Sequence, residues 1–171
     1  MKALFAVLLA GAALLVLGGG AGAVPGSSAV DKWWLTGSIQ GDRFEAGMGT
    51  YAEHWAVTPE ARALAAQLVG DHTHSLGEAV QLARQLHISV PRSPTGLQRW
   101  MTLTLKHMNR GTGFDSSYSA MEVQDHQQDI ADTQLEIAAG QNPAVVNMAK
   151  KELRMLKVHL MLSQKAWTAS T

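Results

Sequence analysis

The segment from Thr58 to His87 constrains the fold of this chain more than any other stretch. Its start is typical of a helix, because Thr58 can act as an N-cap and Pro59 suits the first helical position. Apolar or small side chains and one histidine then recur at spacings of three and four, at Leu64, Leu68, His72, Ser75, Ala79, Leu82 and Leu86. A helix of this length is a rod of roughly 45 Å. Its apolar stripe has to be covered by other long helices, which predicts an all-α protein.

Three more long helices and one short helix are predicted from similar patterns. Asp31 is the predicted N-cap of the first helix, and Asn142 followed by Pro143 predicts the start of the last one. In chain order the predicted helices cover 31–55, 58–87, about 95–109, 114–139 and 143–167. Short connections make consecutive helices antiparallel. The expected architecture is four long antiparallel helices with the short extra helix in the central crossover.

The first 23 residues are predicted to be a signal peptide. Lys2 precedes an uncharged apolar run, and Ala21-Gly22-Ala23 forms a small-x-small cleavage signature. An uncleaved membrane anchor is the alternative, because the apolar and small residues together approach the ~20 needed to span a bilayer. Residues 24–30 are a predicted flexible leader, and 31–168 form the helical domain. We expect an exported protein, periplasmic or extracellular, without a membrane span after cleavage.

Composition excludes several classes of function. The 14 basic residues are balanced by 14 acidic ones, so no basic excess is present that would favour a nucleic-acid partner. The absence of cysteine rules out disulfides and thiolate metal sites. No nucleophile elbow, phosphate-binding loop or dinucleotide-binding glycine pattern occurs in the sequence.

Charged residues follow one face of each of the last two long helices. The acidic ones are Asp125, Asp129, Asp132 and Glu136. The basic ones are Lys150, Arg154 and Lys157. We favour a solvated face whose charges pair across the two helices, since such runs usually contribute only ~0–1 kcal/mol per pair. The alternative is an acidic face that binds cations.

Several short motifs resemble those of a large uncharacterised family of exported bacterial proteins, whose members are often labelled outer-membrane or periplasmic proteins. The matching positions are Leu68-Val69-Gly70-Asp71-His72-Thr73, Gly113-Phe114-Asp115 with Tyr118 and Met121, His126, His159-Leu160 and Glu45. The resemblance extends over about 34–165. It implies a ferritin-like antiparallel four-helix bundle in the cell envelope. Gly47 departs from the pattern where a second acidic residue is common, which does not favour a two-metal site.

Three histidines and one glutamate from different helices form the candidate site. His72, His126 and His159 each lie on a helix face with apolar neighbours, and Glu45 flanks such a face on the first helix. A carboxylate and three imidazoles converging between helices can hold a single zinc, iron or copper ion. Alternatively, the rings hydrogen-bond one another or the nearby side chains of Asp71, Asp125 or Tyr118. The Glu-x-x-His pairs of di-iron proteins are absent from the sequence.

The remaining histidines are predicted to be exposed: His54, His74, His87 and His107. Three hypotheses for function remain. The first is a non-enzymatic envelope or stress-related protein that binds a partner and uses the histidines as an interior polar network. The second is a metal-binding protein, with Met155 and Met161 near His159 as possible thioether ligands for copper. The third is a ferritin-like redox enzyme, which the small number of carboxylates disfavours.

Overall fold

The computed structural model describes residues 26–171, which form five α-helices and, within that range, no strand. The helices are α1 (Ala29–Trp55), α2 (Pro59–Gln85), α3 (Gly96–Lys106), α4 (Thr112–Ala139) and α5 (Pro143–Ser170). The all-α prediction is confirmed. The predicted signal peptide, 1–23, and the first two residues of the predicted leader lie outside the described residues. No helix among residues 26–171 is long and apolar enough to cross a bilayer.

The start of α1 differs from the prediction. Ser28, not Asp31, is the N-cap, and Asp31 is the third residue of a capping box in which its carboxylate accepts from the Ser28 backbone. The same buried carboxylate also accepts the backbone N–H groups of Gln141 and Asn142 at 3.0 and 3.1 Å. The N-cap therefore lies three residues earlier than predicted, and Asp31 instead holds the start of α1 against the start of α5.

The caps predicted for α2 and α5 are confirmed. The Thr58 hydroxyl accepts from the Ala61 backbone, and the Asn142 side chain accepts from the Ala144 backbone. Three-residue connections join α1 to α2 and α4 to α5, which makes each pair antiparallel. These two pairs make the largest contacts between helices, and α2 also packs against α5.

The interior has apolar ends and a polar middle. One apolar cluster includes Phe44, Met48, Leu64, Leu68, Phe114 and Tyr118. The other includes Trp34, Leu35, Ile39, Ala79, Ala83 and Met148. Buried polar side chains separate them along the helices, chiefly Asp42, Glu45, His72, Ser75, Glu122, His126, Glu152 and His159. This polar middle layer contains every candidate site residue.

The favoured interpretation of the acidic face of α4 is wrong. Glu136 is fully buried, and Asp125, Asp129 and Asp132 are half-buried in the wall of a groove. Among the described residues, the one lysine in a salt bridge is Lys151, whose partner is Glu78 on α2. The physical reason is the rotation of α4, which turns this face towards α1 and α5 and away from bulk solvent.

Candidate metal centre

Three helices bring three histidine rings together in the polar middle layer. His72 comes from α2, His126 from α4 and His159 from α5, and none is more than 2% exposed. One ligand atom of each ring lies within 4.8 Å of one from each of the other two. The ring centroids are 5.0 to 5.8 Å apart. The three histidines predicted from the sequence therefore form one cluster, which we call the three-histidine cluster.

Each ring is oriented by a hydrogen bond to an oxygen outside the cluster. Nδ1 of His72 lies 2.8 Å from Oδ1 of Asp42 on α1. Nδ1 of His126 lies 2.9 Å from the backbone oxygen of Glu122, one turn earlier in α4. Nε2 of His159 lies 2.8 Å from Oδ2 of Asp71. Such outer contacts fix the tautomer of metal-binding histidines and raise the basicity of the other nitrogen.

These contacts determine which nitrogens carry protons on His126 and His159. A backbone carbonyl only accepts, so Nδ1 of His126 must be the donor. Burial raises the pKa of Asp71, but hydrogen bonds from Gln67 and His159 outweigh it and the pKa is below its ordinary value. Asp71 is therefore ionised at neutral pH, and Nε2 of His159 donates to it.

The nitrogens that remain on these two rings face each other. Nε2 of His126 lies 3.3 Å from Nδ1 of His159. Burial lowers the pKa of His126 to about 3 and also lowers the pKa of His159, so both rings are neutral at pH 7. A neutral imidazole has one N–H, and both are already used in the outer contacts. Two lone pairs therefore point at each other across 3.3 Å.

A cation between the rings would remove this repulsion. With zinc–nitrogen bonds of 2.0–2.1 Å and tetrahedral angles, two nitrogen ligands lie about 3.3 Å apart. That is the separation of the two facing nitrogens. The third ring is also available, because Nε2 of His72 is buried without a hydrogen-bond partner in residues 26–171. Burial lowers the pKa of His72 to about 4, so it too is neutral at pH 7.

The hydrogen bond between His72 and Asp42 contains one proton, which either the ring or the carboxyl group can carry. Burial raises the pKa of Asp42 well above its usual value, so the carboxyl competes with the ring for the proton. A cation on Nε2 of His72 favours the ring as donor to an ionised Asp42. This outer partner was not predicted from the sequence.

Glu45 lies in a second group that shares His126 with the first. One oxygen of Glu45, one of Glu122 and a nitrogen of His126 lie within 4.8 Å of one another. All four carboxyl oxygens are buried and lack a hydrogen-bond partner within the described chain. Burial raises the pKa of Glu45 well above its usual range and that of Glu122 to about 8. Glu122 was not among the predicted ligands, although its spacing of four from His126 placed both on one face.

Comparison with known proteins identifies the family. A family model described as a domain of unknown function, DUF4142, matches residues 19–165. The chain belongs to the DUF4142 family. No curated protein and no solved structure matches this DUF4142 chain. The predicted resemblance to an uncharacterised family is confirmed to that extent.

The other candidate ligands of the DUF4142 chain lie elsewhere. His54, His74, His87 and His107 are exposed, as predicted. Met161 is 59% exposed on α5, and Met155 is half-buried in the wall of the groove, outside the two groups of candidate ligands. The ligands that the structure brings together are therefore imidazole and carboxylate groups, which suit zinc, iron and copper(II) better than copper(I).

Proposed function

We propose that this DUF4142 protein binds one divalent transition-metal ion, zinc, iron or copper, through His72, His126 and His159. The observation that carries the proposal is the 3.3 Å contact between two imidazole nitrogens that both lack a proton. Three neutral nitrogens leave a fourth coordination position for water or a carboxylate. Glu45 remains the predicted carboxylate, and its proximity to His126 supports it.

Charge balance supports the same conclusion. Three neutral imidazoles leave the charge of a divalent ion uncompensated in a buried site. Glu45 and Glu122 are both fully buried and have unpartnered oxygens among the described residues. When the ion binds, they can lose their protons and neutralise it. The second carboxyl group thus has a role even if it makes no bond to the metal.

We also propose that the helices around this site form a ferritin-like, antiparallel four-helix bundle with α3 in the central crossover. The two antiparallel helix pairs and the contact between α2 and α5 support that arrangement. We also propose export to the periplasm or the extracellular space, which the apolar N-terminal segment and its small-x-small signature support. The protein then holds its metal in the envelope without catalysing a reaction.

Metal analysis of purified protein tests the proposal. The protein is stripped with a chelator, incubated with zinc or cobalt(II), passed through a desalting column and analysed for bound metal. We expect about one ion per chain. His126→Ala removes a ligand and should abolish stoichiometric binding. His74→Ala is the matched control, because His74 is exposed and pairs with Glu78 at the surface. Equal metal content in both variants, or no metal in the wild type, contradicts the proposal.

An exposed apolar stripe on α3 favours a second candidate function, binding of an envelope partner protein. Leu97, Trp100 and Leu103 are 66%, 62% and 58% exposed and lie on one face of the helix. Exposed apolar patches of this kind often mark interaction sites. Trp100→Ser should reduce recovery of a specific envelope protein after in vivo crosslinking. An unchanged crosslinking pattern counts against this candidate.

A further inference from the structure

A groove of about 370 Å³ connects the surface to the three-histidine cluster. It lies between α1, α4 and α5, with the start of α3 at its rim. Leu97 and Gln128 at the rim are exposed, whereas Asp42 and His72, which also line the groove, are 4% and 2% exposed. Because His72 belongs both to the groove wall and to the three-histidine cluster, the groove leads from solvent to the site.

The groove has a strongly acidic wall. Its carboxyl groups come from three helices and are Asp42, Asp125, Asp129, Asp132 and Glu152. Among the described residues that line it, none is lysine or arginine. Carboxyl oxygens are ligands that suit a metal cation and can take the place of its water molecules. The groove therefore suits a cation.

Two buried atoms at the inner end of the groove have no partner. Oδ2 of Asp42 and Nε2 of His72 make no hydrogen bond within residues 26–171. Both residues are more than nine-tenths buried. Buried polar groups are normally satisfied, so two unpartnered atoms at one place indicate a ligand. An oxygen and a nitrogen with free lone pairs are both suited to a metal cation.

Two glycines on α1 line the groove and leave room in it. Gly37 and Gly41 are one turn apart and therefore lie on the same face of the helix. A Cβ atom at Gly37 would meet nothing within 4 Å, and one at Gly41 would lie 3.9 Å from Oδ2 of Asp129. A larger side chain at Gly37 can therefore obstruct the groove without displacing the backbone.

We propose that this acidic groove is the channel through which a hydrated divalent cation reaches the three-histidine cluster. The inference rests on the proposed function, because the channel ends at the proposed site. The carboxylates along the wall replace water ligands of the ion on its way inward. The imidazole of His72 is the first ligand of the cluster that the ion meets.

Rapid-mixing kinetics of cobalt(II) with the metal-free protein tests the channel. Gly37→Leu should lower the association rate at least ~10-fold. Removal of cobalt by a chelator should slow by a similar factor, since the ion leaves by the same route, and the equilibrium affinity should change little. Gly77→Leu is the control: Gly77 is exposed on α2, and a Cβ atom there meets nothing within 4 Å. Its rates should equal those of the wild type.

A second variant tests the carboxyl groups of the wall without changing its shape. The double substitution Asp129→Asn and Asp132→Asn should lower the association rate ~10-fold, because it removes two carboxyl groups that can replace water ligands of the ion. Glu60→Gln removes a carboxyl group at the start of α2, away from the groove, and should leave the rate unchanged.

The results of these experiments distinguish failure of the proposed channel from failure of the proposed metal site. Wild-type rates in both groove variants, with stoichiometric binding retained, overturn the channel and leave the metal site intact. Slower association without slower release in Gly37→Leu also overturns it, because an obstructed path slows both directions. A wild-type protein that binds no cobalt or zinc overturns the proposed function and the channel together.

Discussion

The apolar ends of the interior and the polar middle layer differ in how completely their buried side chains find partners. At one end, Leu64 and Leu68 of α2 are at most 1% exposed and pack against aromatic side chains. One turn further along α2, His72 is equally buried but keeps an unpartnered nitrogen in the described chain. The ends therefore supply most of the stability of the fold, and the middle layer contains the groups that we propose bind a further ligand.

Typical free energies of burial indicate that the polar side chains of the middle layer do not stabilise the fold as apolar side chains would. Each fully buried Leu or Phe side chain contributes about 1.5–3 kcal/mol through burial. Each buried polar atom without a partner costs about 1–3 kcal/mol. Glu45 and Glu122 are fully buried, and their carboxyl groups face each other without a positively charged side chain among the residues described to balance them. Leucine at these positions would avoid the cost of burying polar groups, which supports the proposal that the layer is a binding site.

The largest effect on stability is expected at an apolar end. Leu68→Ala removes a fully buried side chain and leaves a cavity, which should lower the free energy of unfolding by about 2–5 kcal/mol. Denaturant titration of the metal-free protein measures this loss. The folded variant should still bind one ion per chain, because Leu68 contributes no ligand. Loss of metal binding at unchanged stability would contradict the division between ends and middle.

A smaller effect is expected from an outer partner of the histidines. Asp71→Asn keeps an oxygen near Nε2 of His159 but removes its charge, so zinc affinity should fall about 10- to 100-fold. Competition with a fluorescent chelator measures the affinity. Glu78→Gln is the control, since it removes one negative charge from the same helix at an exposed pair with Lys151. Equal affinities in the two variants would show that Asp71 does not act on the site.

The smallest effect concerns the pH dependence of the metal-free protein. Burial and the charge of Asp42 raise the pKa of Glu152 to about 8, against hydrogen bonds from Ser75 and Ser38 that lower it. Between pH 4.5 and 8 the native carboxyl keeps a proton that the unfolded chain has lost, so its stabilising contribution disappears as the pH rises through 8. The free energy of unfolding of Glu152→Gln, relative to that of the wild type, should therefore rise by at least about 1 kcal/mol between pH 5 and pH 9.

Thermal or denaturant unfolding of both proteins at several pH values measures this difference. Glutamine retains a carbonyl oxygen that can accept from the serine hydroxyls, so the variant should fold. An equal pH dependence in the two proteins would contradict the raised pKa of Glu152. A wild type that becomes more stable relative to the variant as the pH rises would reverse the expected sign.

The sequence predicted the helices and the three histidines for the same reason. A period of three and four fixes which residues of a helix share a face, so Leu68 and His72 were both expected inside. Caps were predictable where a polar residue precedes a proline, as at Thr58 and Asn142. The cap of α1 was mispredicted because Asp31 also binds the backbone of the turn before α5, a contact 110 residues away in sequence.

The rotation of each helix about its axis could not be predicted from spacing. It decides that Asp125 and Asp129 face a groove and not bulk solvent. It also decides that Asp42 of α1 meets His72, and that Asp71 reaches across to His159 on α5. The same limit applies to Glu45, which was placed with all three histidines but lies with Glu122 and His126.

X-ray absorption spectroscopy of the zinc-loaded protein tests the central claim most directly. We expect nitrogen or oxygen ligands at about 2.0–2.1 Å from the zinc ion, together with scattering from three imidazole rings at longer distance. His126→Ala, if any zinc remains bound, should show two rings at most. A zinc-loaded wild type whose spectrum contains only oxygen ligands without imidazole would contradict the claim that the ion binds between His72, His126 and His159.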